Sequence, residues 1–215
     1  MMLETGLKKQ VQESLLNYQI RPVEIVASLD SGSDSARLRE LLTEIVSLSQ
    51  TLTLVESNAS GVPKPSFSLG ALNDEPRIAF AGVPTGNEFT SLVLAILQVG
   101  GHPPRFDDAL IARIVELDGD YRFETFVSLA CPYCQEVVQA LNGLAALNPR
   151  IRHIVIDVGM FQNEATARDI DFVPTIVMNG ERFGEGRTTV AQIVGQIADI
   201  EGGMKEALRA ASLGP

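Results

Sequence analysis

The sequence predicts an α/β protein made of two consecutive units, each a small mixed sheet flanked by helices. Three observations carry this. Strand-like and helix-like segments alternate along the 215 residues, the order expected of a sheet covered by helices. One strand pattern recurs: Val23-Glu24-Ile25-Val26-Ala27-Ser28-Leu29 parallels Phe123-Glu124-Thr125-Phe126-Val127-Ser128-Leu129, and self-similarity at a fixed spacing marks repeated structural units. Finally, Asn179-Gly180 sits between the strand-like segments Pro174–Asn179 and Arg182–Gly186, a two-residue hairpin signal.

The first unit, residues 1–118, begins with a predicted amphipathic helix over Met2–Tyr18, with Leu3, Leu7, Val11, Leu15 and Leu16 on one face. Pro22–Leu29 reads as a buried strand. Ser33–Ser49 reads as a helix with Leu38, Leu41, Leu42, Ile45 and Val46 inward, and Ser33 or Asp34 as its N-cap. Thr51–Glu56 is a strand. A loop over Ser57–Lys64 leaves no room for a helix before the antiparallel pair Pro65–Leu69 and Arg77–Ala81. Asn87–Val99 is a strongly apolar helix ended by Gly100-Gly101. Asp107–Leu117 is a further helix, and the Asp118-Gly119-Asp120 turn closes the unit.

The second unit, residues 119–215, repeats the order. Tyr121–Ala130 is a strand, and Cys131–Leu147 a helix with Cys134, Val137, Val138, Leu141 and Leu144 at helical spacing. Ile151–Asp157 is a strand and Gln162–Ile170 a short helix. Pro174–Asn179 and Arg182–Gly186 form the hairpin, followed by helices over Thr188–Ile200 and Met204–Ala211. Pro65-Ser66-Phe67-Ser68-Leu69-Gly70 matches Pro174-Thr175-Ile176-Val177-Met178-Asn179-Gly180 in position.

Composition removes several functions. The formal charge of −10, with no basic stripe, argues against a nucleic-acid partner. Met1–Gln10 carries charges and no apolar core, unlike a signal peptide. The longest strongly apolar run, Leu92–Leu97, is far too short to span a bilayer. Only two cysteines are present, both in one motif, so no structural disulfide framework is expected; a catalytic pair in a reducing cytoplasm fits better.

That motif is Cys131-Pro132-Tyr133-Cys134, set between a strand and a helix. At a helix start, residues three apart share a face, within the roughly 4.4–6.8 Å between Cα atoms that a disulfide needs. The first thiol meets unpaired backbone N–H groups and the positive helix end, which favour the thiolate that attacks in disulfide exchange. Pro132 suits a first helical turn, and Tyr133 is a surface aromatic for partners to touch. In the first unit Ser31-Gly32-Ser33-Asp34 stands where the thiols would be. Zinc usually needs four ligands, and no second CxxC or HxxxH exists. A cluster shared between two chains is the metal reading that remains.

Pro174, after Val173, opens a strand, either as an edge-strand proline or as a feature of the redox site. Glu88, at the head of an apolar helix, is either an acid favoured by the helix dipole or a functional carboxylate. His102 and His153 read as structural or surface residues.

The second half resembles the thioredoxin/glutaredoxin superfamily through the CPYC motif, Val173-Pro174-Thr175 and the Asn179-Gly180 hairpin. More closely, nearly the whole chain resembles the N-terminal domain of the flavoprotein component of alkyl hydroperoxide reductase. The stretches are Lys64-Pro65-Ser66-Phe67, Gly86-Asn87-Glu88-Phe89-Thr90-Ser91-Leu92-Val93-Leu94-Ala95, Gly100-Gly101-His102-Pro103, Val137-Val138-Gln139-Ala140-Leu141-Asn142, Leu147-Asn148-Pro149-Arg150-Ile151 and Phe161-Gln162-Asn163-Glu164. The resemblance implies two fused thioredoxin folds with one redox centre. It implies catalytic roles for Cys131 and Cys134, a cis Val173–Pro174 bond facing them, and Glu88 across a cleft from them. Val173, Pro132 and Tyr133 would meet the partner. Electrons would come from a flavin domain reduced by NADH and go to a peroxiredoxin's disulfide.

Two departures stand out. Pro-Tyr is the glutaredoxin-type pair, whereas the family motif usually carries other residues between its cysteines. The family also continues into a GxGxxG nucleotide-binding domain, a fingerprint this sequence does not contain. FAD and NADH are therefore expected on a partner domain or protein, with no cofactor in this chain beyond its disulfide. The rival functions are a general protein disulfide reductase or oxidase and a glutathione- or cluster-binding module.

Overall fold

Strands form where apolar residues alternate, and helices where they recur every third or fourth position. The computed structural model describes residues 3–18, 20–57 and 63–212. Its strands are β1 (Val23–Ser28), β2 (Leu52–Glu56), β3 (Ser66–Ala71), β4 (Ile78–Ala81), β5 (Tyr121–Val127), β6 (Ile151–Asp157), β7 (Thr175–Met178) and β8 (Glu181–Glu185). Its helices are α1 (Thr5–Asn17), α2 (Ser33–Val46), α3 (Asn87–Val99), α4 (Asp108–Glu116), α5 (Cys134–Leu147), α6 (Gln162–Ala167) and α7 (Val190–Ser212).

The strands lie in the order β2-β1-β3-β4-β6-β5-β7-β8. Each half follows one plan. The first strand pairs parallel with the second and antiparallel with the third, and the third pairs antiparallel with the fourth. The two sheets expected from the sequence are joined: β4 pairs parallel with β6, from Ile78↔His153 to Ala81↔Ile156. Unjoined, β4 and β6 would each present a row of unpaired N–H and C=O groups; paired, they leave β2 and β8 as the edges of the sheet among the described residues.

Helices α3 and α5 pack together over one face of the sheet, burying Leu92 and Ile96 of α3 and Leu141 and Leu144 of α5 in the main core with Phe67 and Phe123. On the opposite face, α6 brings Ala165 into a smaller cluster with Phe126, Ile156, Val177 and Ala81. Part of the expected Ser57–Lys64 loop, residues 58–62, lies outside the described residues.

Several boundaries differ from the sequence reading. In α1, which starts at Thr5, Leu16 faces solvent while Val11 and Leu15 are buried; Met2 lies outside the described residues. The N-cap of α2 is Gly32, not Ser33 or Asp34. Asp30 tightens that turn instead: its Oδ1 accepts from Gly32 N at 2.8 Å and from Ser35 Oγ at 2.6 Å. The two predicted C-terminal helices are one, α7, running through Gly202-Gly203. Glu201 anchors it: its Oε1 accepts from Asp118 N, Gly119 N and Tyr121 Oη at 2.8–2.9 Å, tying α7 to the turn between the units.

Candidate functional site

Strand β5 ends at Val127, and a tight turn carries the chain to the cysteines, with Cys131 N donating to Ser128 O at 2.9 Å. Helix α5 starts at Cys134, three residues later than expected, with Tyr133 as its N-cap. Cys131 therefore precedes the helix and Cys134 is its first residue. The first N–H groups of a helix have no partner inside it. Here the Cys134 N–H points at Cys131 Sγ, 3.2 Å away. The two sulfurs form a disulfide, with Cα atoms 5.6 Å apart. Cys131 is 9% exposed and Cys134 0%, so Cys131 keeps a narrow opening at the rim of the main core, and Cys134 lies fully inside it with Val137 and Val138. When the disulfide opens, a thiolate on Cys131 already has its hydrogen-bond donor.

The wall beside the sulfurs comes from the segment before β7. The Val173–Pro174 bond is cis, and Val173 O lies 3.9 Å from Cys131 Sγ. Lys64–Pro65 is cis at the corresponding place of the first unit. The match extends to hydrogen bonds: Gly82 N donates to Pro65 O at 2.9 Å and Gly186 N to Pro174 O at 2.8 Å. Around the rim, Phe172 is 67% and Tyr133 50% exposed. Arg187 lies 4.9 Å over the Tyr133 ring and pairs with Glu136 of α5 at 2.9 Å, bracing the aromatic from the loop after β8.

The first unit reaches this centre through the start of α3. Asn87 Nδ2 donates to Cys131 O at 3.2 Å. Glu88 is 1% exposed, and its carboxylate oxygens meet no hydrogen-bond partner among the described protein groups. It borders a cavity of about 10 Å³ with Val127, Leu129 and Asp157. Glu88 thus faces the underside of the segment leading to Cys131, and the cavity lining includes neither cysteine. Burial pushes the Glu88 carboxyl above its ordinary range, and the nearby Asp157 adds to it. Burial raises Asp157 as well, opposed by the Gly159 N–H, which donates to its Oδ1 at 3.0 Å.

Both histidines sit away from the sulfurs. His102 packs against Tyr18, with ring centroids 3.9 Å apart and planes tilted by 36°. His153, in β6, is buried between Thr125 Oγ1 of β5 at 2.8 Å and Asn142 Oδ1 of α5 at 2.7 Å. Burial lowers its pKa to about 3, so it stays neutral. The sequence reading missed Asn87, Asp157 and this Thr125–His153–Asn142 bridge. Only β-strand alternation placing Thr125 and His153 inward could have signalled the bridge.

Two grooves, of about 550 and 620 Å³, are lined by neither cysteine. Among the described residues no group of three His, Cys, Asp or Glu side chains is placed to hold a metal ion, and no helix is long and apolar enough to cross a membrane.

Two units of one strand plan, with a disulfide at a helix start beside a cis-proline, define a tandem thioredoxin-fold thiol–disulfide oxidoreductase. A family model described as "Thioredoxin domain" matches residues 122–198. The chain is 47% identical over 206 residues to the F-subunit of alkyl hydroperoxide reductase of Pseudomonas putida, aligning 96% of this chain with 39% of that protein. It is 48% identical over 198 residues to the Escherichia coli K12 protein of the same name, aligning 91% with 37%. Its fold matches the NTD_N/C domain of the Enterococcus faecalis V583 alkylhydroperoxide reductase AhpF with a TM-score of 0.84 at 27% identity, covering 91% of this chain and all of that one. The chain belongs to the family of the N-terminal domain of AhpF, the F-subunit of alkyl hydroperoxide reductase, and spans less than two-fifths of the length of these two curated relatives.

Proposed function

We propose that the chain is the dithiol–disulfide relay of a peroxide-detoxifying system, taking electrons from a flavoprotein disulfide reductase and passing them to the disulfide of a peroxiredoxin. One observation carries this reading: a rim sulfur, Cys131, receives an N–H at 3.2 Å from Cys134, whose own sulfur lies in the core. The similarity to the AhpF proteins supports the direction of electron flow.

In the reduced state the Cys131 thiolate attacks one sulfur of the partner's disulfide. The partner's S–S bond breaks, and its other sulfur leaves as a thiolate and takes up a proton. Cys134 then loses its proton and attacks Cys131 in the mixed disulfide. The Cys131–Cys134 bond forms, the second partner sulfur leaves, and two electrons have passed to the partner. Pro132, Tyr133 and Val173 line the approach, and the Val173 backbone offers an extended partner segment a place to pair. Pro174 holds that wall beside the sulfurs. Glu88, raised by burial, serves as the proton donor or acceptor for the thiols. Residues 1–118 act as scaffold and docking surface, and residues 119–215 carry the chemistry.

The flavin and nicotinamide belong to a partner domain or protein. The nearest glycine pair, Gly184 and Gly186, ends in Thr189 where a third glycine would stand, and Gly184 lies within β8 itself. A cytoplasmic setting fits a chain whose two cysteines are both in the redox pair. Stopped-flow mixing of the reduced protein with oxidised peroxiredoxin tests the reading. Fast oxidation with slow insulin reduction supports it; fast insulin reduction with slow peroxiredoxin reduction assigns a general disulfide reductase instead.

A further inference from the structure

The start of α3 packs on the redox loop through three consecutive residues of the unit without cysteines. Gly86 has φ +58, and a Cβ added there would lie 3.1 Å from Leu129 O. Such a position admits glycine with the least strain, so the chain runs close under the loop. Glu88 shares a small cavity with Leu129 and Val127. Between them Asn87 donates its side-chain amide to Cys131 O at 3.2 Å. On the other side of the same residue, Cys131 N donates to Ser128 O at 2.9 Å. Both backbone groups of Cys131 are therefore held, one by its own loop and one by the other unit.

We infer that Asn87 is a positioning residue for the redox centre, acting through the Cys131 carbonyl to keep Cys131 Sγ under the Cys134 N–H. In the oxidised state the covalent S–S bond itself holds the loop. In the reduced state that link is gone, and the contact from Cys134 N to Cys131 Sγ depends on the loop staying in place. Asn87 thus contributes more to the dithiol than to the disulfide. Its removal weakens the donor that stabilises the Cys131 thiolate and shifts the balance toward the disulfide. The inference rests on the pair cycling between dithiol and disulfide, and is independent of which partner it serves.

The test uses the full chain with Asn87→Ala and Asn87→Asp. Asp matches Asn in shape and, when ionised, cannot donate a hydrogen bond. It also carries a charge that favours a helix N-terminus, so the fold itself is not weakened. Each protein is equilibrated with reduced and oxidised glutathione, the dithiol giving two electrons to oxidised glutathione to yield the disulfide and two reduced glutathiones. Both variants are expected to move the equilibrium toward the protein disulfide by about threefold to tenfold, the weight of one hydrogen bond. Both should also move the pH profile of Cys131 alkylation to higher pH, with the melting temperature of the oxidised protein unchanged. An effect from Asn87→Asp alone would reduce the result to charge and overturn the inference, as would no shift in either variant. A parent disulfide that neither reduced glutathione nor dithiothreitol can open would overturn the relay reading and the inference with it.

Discussion

The backbone N–H of Cys134 points at the Sγ of Cys131 from 3.2 Å. One cysteine thus supplies the hydrogen-bond donor for the other's sulfur, and does so as the first residue of α5. This gives the two thiols different work. Cys131, at the rim, is the expected attacking thiol, and the buried Cys134 the resolving one. Cys134→Ser should trap a mixed disulfide with an oxidised peroxiredoxin through Cys131; Cys131→Ser should not. Alkylation of the reduced protein at neutral pH, mapped by mass spectrometry, should label Cys131 at least about tenfold faster, given thiolate control of the rate. Faster labelling of Cys134 would reverse the assignment.

Glu88 is expected to matter for protons more than for packing. Burial raises its folded-state pKa above the ordinary 4.5, so the neutral acid is favoured. In the window above 4.5 the unfolded chain releases its proton first, and stability falls as pH rises. Glu88→Gln, which cannot ionise, should therefore stabilise the protein increasingly above that pH, read by urea denaturation at pH 4 and pH 7. In exchange kinetics the same variant should slow resolution more than first attack, by about tenfold or less, below the 10²–10⁴-fold ceiling of general acid–base help. Unchanged rates and an unchanged pH profile would leave Glu88 a helix N-terminal acid.

His153 should make the fold acid-sensitive. Its pKa is about 3 when folded against an ordinary 6.5. Between these values the unfolded chain binds the extra proton, so stability is full above about 6.5 and declines as pH falls toward 3. At pH 5 the loss from this one residue is about 2 kcal/mol. His153→Gln should remove that pH-dependent part. It should also lower stability at pH 7 by roughly 1–3 kcal/mol, because Thr125 and Asn142 lose their buried partner. A parent and variant with identical pH dependence would mean His153 titrates normally.

The second unit is expected to fold poorly alone. Residues 119–215 by themselves would expose the β6 edge that β4 covers and the face of α5 that α3 covers. Circular dichroism should show a melting temperature lower by about 10 °C or more, and light scattering an aggregation-prone species. Equal melting of the fragment and the full chain would show that the join is dispensable.

Much of the site was legible because local chemistry specifies it. The CPYC motif between strand and helix predicted the disulfide geometry, and Asn179-Gly180 predicted a hairpin that forms with Asn179 at φ 53. The strand repeat predicted two units of one plan, which the matching pairings of β1–β4 and β5–β8 bear out. Element ends were less legible. Ser128–Ala130 continue a strand-like pattern, yet the turn to Cys131 interrupts it, and nothing local signals that Gly202-Gly203 stays helical.

What the sequence determined by itself is everything set by neighbours along the chain: the alternation of strands and helices, the repeat, and which two sulfurs can meet. What only the tertiary structure decided is how the halves serve one another. The β4–β6 join, the anchoring of α7 by Glu201, the His153 bridge and the reach of Asn87 to Cys131 each link residues far apart in sequence. A single hydrogen bond or strand edge of this kind leaves no periodic trace. It arises only once burial has brought the two surfaces together, when each exposed donor, acceptor and edge must find a partner across the new interface.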